Sequence, residues 1–256
     1  MNRRNFVYTM GGIPVMSSLA AAQAARFYLL RQYLLQNGDQ VPRLAAFLKD
    51  GLLPAARRLE VPGPRLVLES LVAAHMPQVL TITPFASVEE MLATRQKLAG
   101  DDGYRNALST LEAGAEPPYE EVMDRVVEAA PYSPELPASF PEAKPNRLFE
   151  LRLYHSPTER QLKALHERFA GPEIKIFHRS GVHPLLYSST LIGPHQPNLV
   201  YLTSFDDLAA REKAWAAFGA DPEWAKVRKE STDKHGQISA VIQISLYRAA
   251  AYSPLR

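Results

Sequence analysis

The sequence predicts an α+β protein: two tandem ferredoxin-like βαββαβ domains packed against each other as an intramolecular dimeric α/β barrel. Three observations carry this reading. They are an internal repeat, a proline-rich joint between its copies, and the order of strand and helix patterns in the second copy.

The repeat has an offset of about 120 residues, as Pro77 and Pro197 show. Leu30-Arg31-Gln32-Tyr33 recurs as Leu151-Arg152-Leu153-Tyr154, and Pro77-Gln-Val-Leu80 as Pro197-Asn-Leu-Val200. Phe85 recurs as Phe205, Asp101-Asp-Gly-Tyr104 as Asp221-Pro-Glu-Trp224, and Ala130-Pro-Tyr132-Ser-Pro134 as Ala250-Ala-Tyr252-Ser-Pro254. Matches in one order at a near-constant offset indicate a duplicated domain; the period is too long for a solenoid. Between the copies fall Pro131, Pro134, Pro137, Pro141 and Pro145, a stretch that can continue neither a helix nor a central strand. The chain therefore divides into a leader (1–25), a first, divergent domain (26–134), a Pro-rich linker (135–146) and a second domain (147–254).

Within the second copy, Leu148–Tyr154 alternates apolar and polar residues and reads as a half-buried strand. Thr158–Phe169 places Leu162, Leu165 and Phe169 at helical spacing. Leu185–Ile192, a Gly-Pro-His-Gln-Pro turn and Leu199–Ser204 form a hairpin. Asp206 or Asp207 caps a helix through Arg211, Trp215 and Phe218. Asp221 with Pro222 starts another that runs to about Lys229. Ile238–Tyr247 is the last strand, which completes βαββαβ.

Alternation in the first of these strands puts Phe149, Leu151 and Leu153 on one side and Glu150, Arg152 and Tyr154 on the other. The apolar side is expected under the helices, and the polar side inside the barrel. Tyr187, Tyr201 and Tyr247 are candidates for that same interior face.

The leader carries two charges, Arg3 and Arg4, then an uncharged run ending in Ala20-Ala-Ala-Gln-Ala-Ala25. A charged start, an apolar middle and an A-x-A site describe a signal peptide. Arg3-Arg4-Asn5-Phe6-Val7 resembles the twin-arginine pattern, with Phe6 in its aromatic position, so export to the periplasm or beyond is expected. There is no second apolar run of about 18 residues, so no stable membrane span is expected after cleavage. The absence of cysteine agrees with export and excludes thiolate catalysis, iron–sulfur clusters and Cys-based zinc sites. With 29 Lys+Arg against 27 Asp+Glu and no like-charge block, nucleic acid is not an expected partner.

Glu150-Leu-Arg-Leu-Tyr154, the run Leu199-Val-Tyr-Leu-Thr-Ser-Phe-Asp-Asp-Leu-Ala-Ala-Arg-Glu-Lys213, Trp215 and the Asp221-Pro-Glu-Trp224 box resemble NIPSNAP domains. The resemblance covers residues 147–254 well. It covers 26–134 weakly, since Leu29 stands where Glu150 would. It implies a tandem dimeric α/β barrel and names no reaction for bacterial members. Relatives in the wider superfamily imply cofactor-independent monooxygenase-, isomerase- or lyase-type chemistry, and some use haem through a histidine.

Glu150, Arg152 and Tyr154 are the leading ligand-binding candidates: an arginine for an anion, a tyrosine to orient it. The bland alternative is a self-contained Glu–Arg pair holding two sheets in register. Tyr201 and the first-copy counterparts Arg31 and Tyr33 join this set. His178 and His183 bracket a Gly turn and are candidates for a general base or a haem ligand. Exposed loop histidines are the plainer reading. Trp215, Phe218 and Trp224 read as helix core. No metal motif, nucleophile elbow or phosphate loop is present. Two functions follow: a barrel binding a small organic ligand in its interior, or a non-catalytic module with a filled barrel. Whether the protein is an enzyme and whether it forms homo-oligomers stay open.

Overall fold

The structure, a computed structural model, describes residues 24–142, 144 and 146–256. The twin-arginine motif and the cleavage site's first residues therefore lie outside the described residues.

Eight antiparallel strands close a barrel in the order β1-β3-β2-β8-β5-β7-β6-β4. In the first half, β1 (Phe27–Leu34), β2 (Leu66–Val72), β3 (Gln78–Phe85) and β4 (Glu121–Ala129) alternate with helices α1 (Gln40–Ala46), α2 (Leu53–Arg58), α3 (Val88–Gly100) and α4 (Asp102–Glu112). The second half repeats the order with β5 (Leu148–His155), α5 (Glu159–Arg168), α6 (Ile174–Ser180), β6 (His183–Ile192), β7 (Asn198–Phe205), α7 (Leu208–Ala220), α8 (Pro222–His235) and β8 (Val241–Ala249). The halves join where β2 meets β8 and β4 meets β6.

Local chemistry explains most of the boundaries. Thr158, Asp207 and Asp221 cap α5, α7 and α8, each side-chain oxygen accepting a backbone N–H of the first turn. Gly181 ends α6 at φ 88, in the left-handed region that glycine enters without penalty. Three boundaries depart from the sequence reading, the first being β8, which spans Val241–Ala249 rather than Ile238–Tyr247. Helix α8 runs six residues past Lys229 to His235, and the stretch after Phe169 holds a π-helical turn, Phe169–Glu173, followed by α6. The first half has a π-helical turn, Phe47–Leu52, in the corresponding place between α1 and α2, without a kink like that at Gly171.

The barrel interior is full. Tyr28, Leu30, Leu66, Leu68, Leu80, Ile82, Val127, Phe149, Leu153, Leu186, Val200, Leu202 and Tyr247 form one buried cluster drawn from all eight strands and no helix. Two further clusters lie between the outside of the barrel and the helices: one under α1 and α4, the other under α5, α6 and α7.

This reverses the expected facing of β5. Phe149, Leu151 and Leu153 point into the barrel, and Glu150, Arg152 and Tyr154 point outward beneath the helices. The physical reason is dryness. An eight-stranded barrel is just wide enough for side chains to fill it. Helices can instead supply polar partners of their own to a charged strand face. Tyr187 and Tyr201 lie on the outer face with Tyr154, whereas Tyr247 is inside the barrel.

The ends of the two halves are secured alike. Ser253 Oγ accepts the Val67 N–H at 2.9 Å and donates to the Leu255 carbonyl, while Leu255 plugs the interior cluster. Ser133 Oγ accepts the Tyr187 N–H at 2.9 Å, with Leu136 in the same cluster. Ser253→Ala strands a buried amide and is expected to lower stability by about 1–3 kcal/mol, measured by urea unfolding. Ser133→Ala, at a more open site, has a smaller effect.

Candidate functional site

The outer face of β5 is organised around Glu150, which has no solvent exposure. Its carboxylate accepts from Arg211 Nε at 2.6 Å, from Trp215 Nε1 at 3.1 Å and from Arg152 Nε. Arg211 and Trp215 stand four residues apart on α7 and so share one helix face. One buried carboxylate thus anchors α7 to the barrel and fixes two guanidiniums. A buried charge persists only when paired and hydrogen-bonded in this way.

Arg152 lies flat over Trp215, its Cζ 3.7 Å from the ring centroid, and its Nη1 donates to the Tyr154 hydroxyl at 3.1 Å. Its side chain is 11% exposed. Burial opposes its charge; Tyr201, Tyr154 and Glu150 more than offset that, so the guanidinium stays ionised. Tyr154 also accepts from Tyr201 Oη at 2.9 Å. A phenol with both acceptor positions used still holds its own proton to donate.

Above this face lies a cavity of about 600 Å³, bounded by β5, α7, α8 and the segment Gln237–Ser239. Its size falls within the roughly 300–1,000 Å³ common for small-molecule sites. Trp215, Phe218 and Trp224 supply aromatic walls, the last two with ring centroids 4.4 Å apart. The caps position them: Asp221 accepts the N–H of Trp224, and Arg179 holds Asp221 through both carboxylate oxygens at 2.8–2.9 Å.

The charge at the cavity is mainly positive. Arg152, Arg168 and Arg228 line it against one carboxylate, Glu173. Arg168 Nε donates to Glu173 Oε2 at 2.7 Å, and its guanidinium sits 4.9 Å from the Trp224 ring. Arg228 has no carboxylate partner among the described residues. Burial lifts Glu173 to about 7, with Arg168 pulling the other way. Ser239 Oγ, also on the lining, is buried without a hydrogen-bond partner.

Of the residues singled out from sequence, the fold brings Arg152 and Tyr154 to the cavity, with Glu150 and Tyr201 beneath them. The expected site inside the barrel does not exist, because that interior is packed. Arg31 and Tyr33 lie on the outer face of β1. There Arg31 donates through Nε and Nη2 to the two carboxylate oxygens of Asp124 at 2.7 Å, and Tyr33 belongs to the helix-covered core of the first half. His178 and His183 are exposed at the turn from α6 to β6, 5.7 Å apart, and neither lines the cavity. No imidazole lines the cavity at all, so it offers haem no axial histidine. Among the described residues no group of three or more acidic or histidine side chains could hold a metal ion. No helix there is long and apolar enough to cross a membrane.

Arg168, Glu173, Arg211 and Arg228 were not singled out from sequence. Each is a charged residue on a helical stretch, where a solvated face is the ordinary expectation. Trp215 and Trp224, read as core, are partly buried cavity walls. Glu173 had one local signal, the Gly171-Pro172 pair that breaks the helix before it.

Fold and site together define an antiparallel α/β barrel with a packed interior and a cationic, aromatic cavity on its outer surface. Residues 149–254 match the NIPSNAP family model, and the residues that line the cavity fall within that stretch. No curated protein matches the chain. Among solved structures, a protein of Fusobacterium nucleatum provisionally described as a monooxygenase is similar at 8% identity and a TM-score of 0.55, covering 88% of this chain and 93% of its own. An anthrone oxidase-like protein aligns at 14% identity and a TM-score of 0.54, covering 88% and 92%. A protein of Lactobacillus acidophilus, also provisionally described as a monooxygenase, aligns at 10% and 0.53, covering 88% and 94%. These likenesses show the fold.

Proposed function

We propose that the protein binds a small, flat organic anion in the cavity between β5 and helices α7 and α8. The observation that carries this is Arg152. Among the described residues, two of the five N–H donors of its guanidinium are engaged, by Glu150 and Tyr154. The rest of the fork is held rigid against Trp215 at the cavity wall. A planar guanidinium with free donors is suited to a carboxylate. Arg228 adds a second cation, and the indole and phenyl walls favour an aromatic or conjugated body. In this reading Glu150 is the anchor for the anion-binding arginine rather than a ligand itself.

The tandem matches between the halves, and the strand orders β4-β1-β3-β2 and β8-β5-β7-β6 on either side of the barrel, support two ferredoxin-like units fused in one chain. Only the second, NIPSNAP-like unit carries the cavity residues. The leader supports export by the twin-arginine route, and mass spectrometry of the mature N-terminus tests it: a chain still starting at Met1 outside the cytoplasm contradicts it.

Binding is tested by calorimetry with phenylpyruvate and related aryl carboxylates. Arg152→Gln and the more exposed Arg228→Gln are each expected to weaken binding roughly ten- to hundredfold, as loss of a charge-assisted contact does. Equal affinity in wild type and both variants contradicts the reading.

A further inference from the structure

We propose that Glu173 is the proton acceptor of this cavity, so that the site interconverts the keto and enol forms of a bound aryl-substituted 2-oxo acid. This rests on the ligand site proposed above and adds a reaction to it.

Among the described residues Glu173 is the only carboxylate on the cavity lining. Oε2 is held by Arg168, while Oε1 has no hydrogen-bond partner among the described residues. The residue ends the segment Phe169–Glu173, where the chain kinks at Gly171 before α6 begins. The corresponding connection of the first half, Phe47–Leu52, lacks this pair. With Phe47 aligned to Phe169, Gly51 occupies the place of Glu173 and Ala46 that of Arg168. The first half thus makes its connection between two helices at this place without a buried arginine–carboxyl pair. Trp215 and Arg228 likewise have no counterpart, their aligned positions, 120 residues earlier, holding Arg95 and Leu108. The charged machinery is confined to the half with the cavity.

The step balances without an oxidant or a metal. Oε1 of Glu173 takes a proton from the carbon next to the carbonyl. The C–H electron pair forms the carbon–carbon double bond, and the carbonyl pair moves to oxygen as an enolate. Arg152, on the lining of the same cavity, offers its unengaged donors to that developing charge. Glu173 then returns the proton to the oxygen, giving the enol, or to carbon, restoring the ketone. Because burial holds the carboxyl near neutrality, acid and base forms are both accessible. The groups facing it are Arg168 from α5, the phenols of Tyr132, Tyr187 and Tyr201, and Arg152 and Arg228 across the cavity.

The test is solvent deuterium uptake at the methylene of phenylpyruvate, followed by proton NMR in D2O, with affinity measured in parallel. Wild type is expected to accelerate uptake above the uncatalysed rate. Glu173→Gln should bind within a few-fold of wild type and lose roughly 100-fold or more of the acceleration, the usual contribution of a general base. Glu173→Gly, which installs the first half's residue at this place, should lose it as well. Uptake unchanged in either folded variant overturns the inference. Wild type that binds the probe without accelerating exchange overturns it too, and leaves the binding site standing. Absence of binding overturns both.

Discussion

Glu150→Ala is expected to lower stability by about 3–5 kcal/mol, because it leaves charges buried without their partner. Arg152 and Arg211 have side chains only 11% and 15% exposed, and both rely on this carboxylate, as does the Trp215 indole N–H. The loss exceeds that of an ordinary surface ion pair, which contributes about 0–1 kcal/mol. Arg31–Asp124 in the first half, with side chains 35% and 44% exposed, supplies that control within the same molecule. Asp124→Ala should change stability little. Chemical denaturation at neutral pH checks both, and an effect for Glu150→Ala no larger than for Asp124→Ala refutes the anchoring role.

Glu173 makes the wild type less stable as pH rises through the window from its ordinary value, near 4.5, to about 7. The sign follows from proton counting. The folded state holds this proton over that window and the unfolded state has released it, so unfolding is favoured by rising pH. Below about 4.5 both states are protonated, and above about 7 both are ionised and the loss is complete. The full difference is about 3 kcal/mol. Glu173→Gln removes the titration. The stability of wild type minus that of the variant should therefore fall by that order between pH 4.5 and 8. A difference that is flat or rises with pH contradicts the buried, proton-holding state of Glu173.

The fold was largely legible because its determinants are local. Alternation in Leu148–Tyr154, the acidic caps Asp207 and Asp221, and the repeated segments each depend on residues near one another in sequence. The facing of β5 was not legible. Alternation separates Phe149, Leu151 and Leu153 from Glu150, Arg152 and Tyr154, but period two is silent on which set meets helices. What decides it is the barrel's narrow interior and the arrival of Arg211 and Trp215 from sixty residues away. For the same reason the site was half legible. Arg152 and Tyr154 stand out within one strand, whereas Glu173 and Arg228 become cavity residues only when α5, α8 and the π-helical turn are assembled over it.

Trp215 and Trp224 are the two tryptophans of the chain, and both wall the cavity. The barrel interior contains none. Intrinsic tryptophan fluorescence therefore reports on the outer cavity alone. Titrating phenylpyruvate into wild type should change it saturably, and Arg152→Gln should move that change to roughly ten- to hundredfold higher concentrations. Fluorescence that does not respond, or a response of Arg152→Gln at the same concentrations as wild type, would show that this cavity is not an arginine-directed anion site.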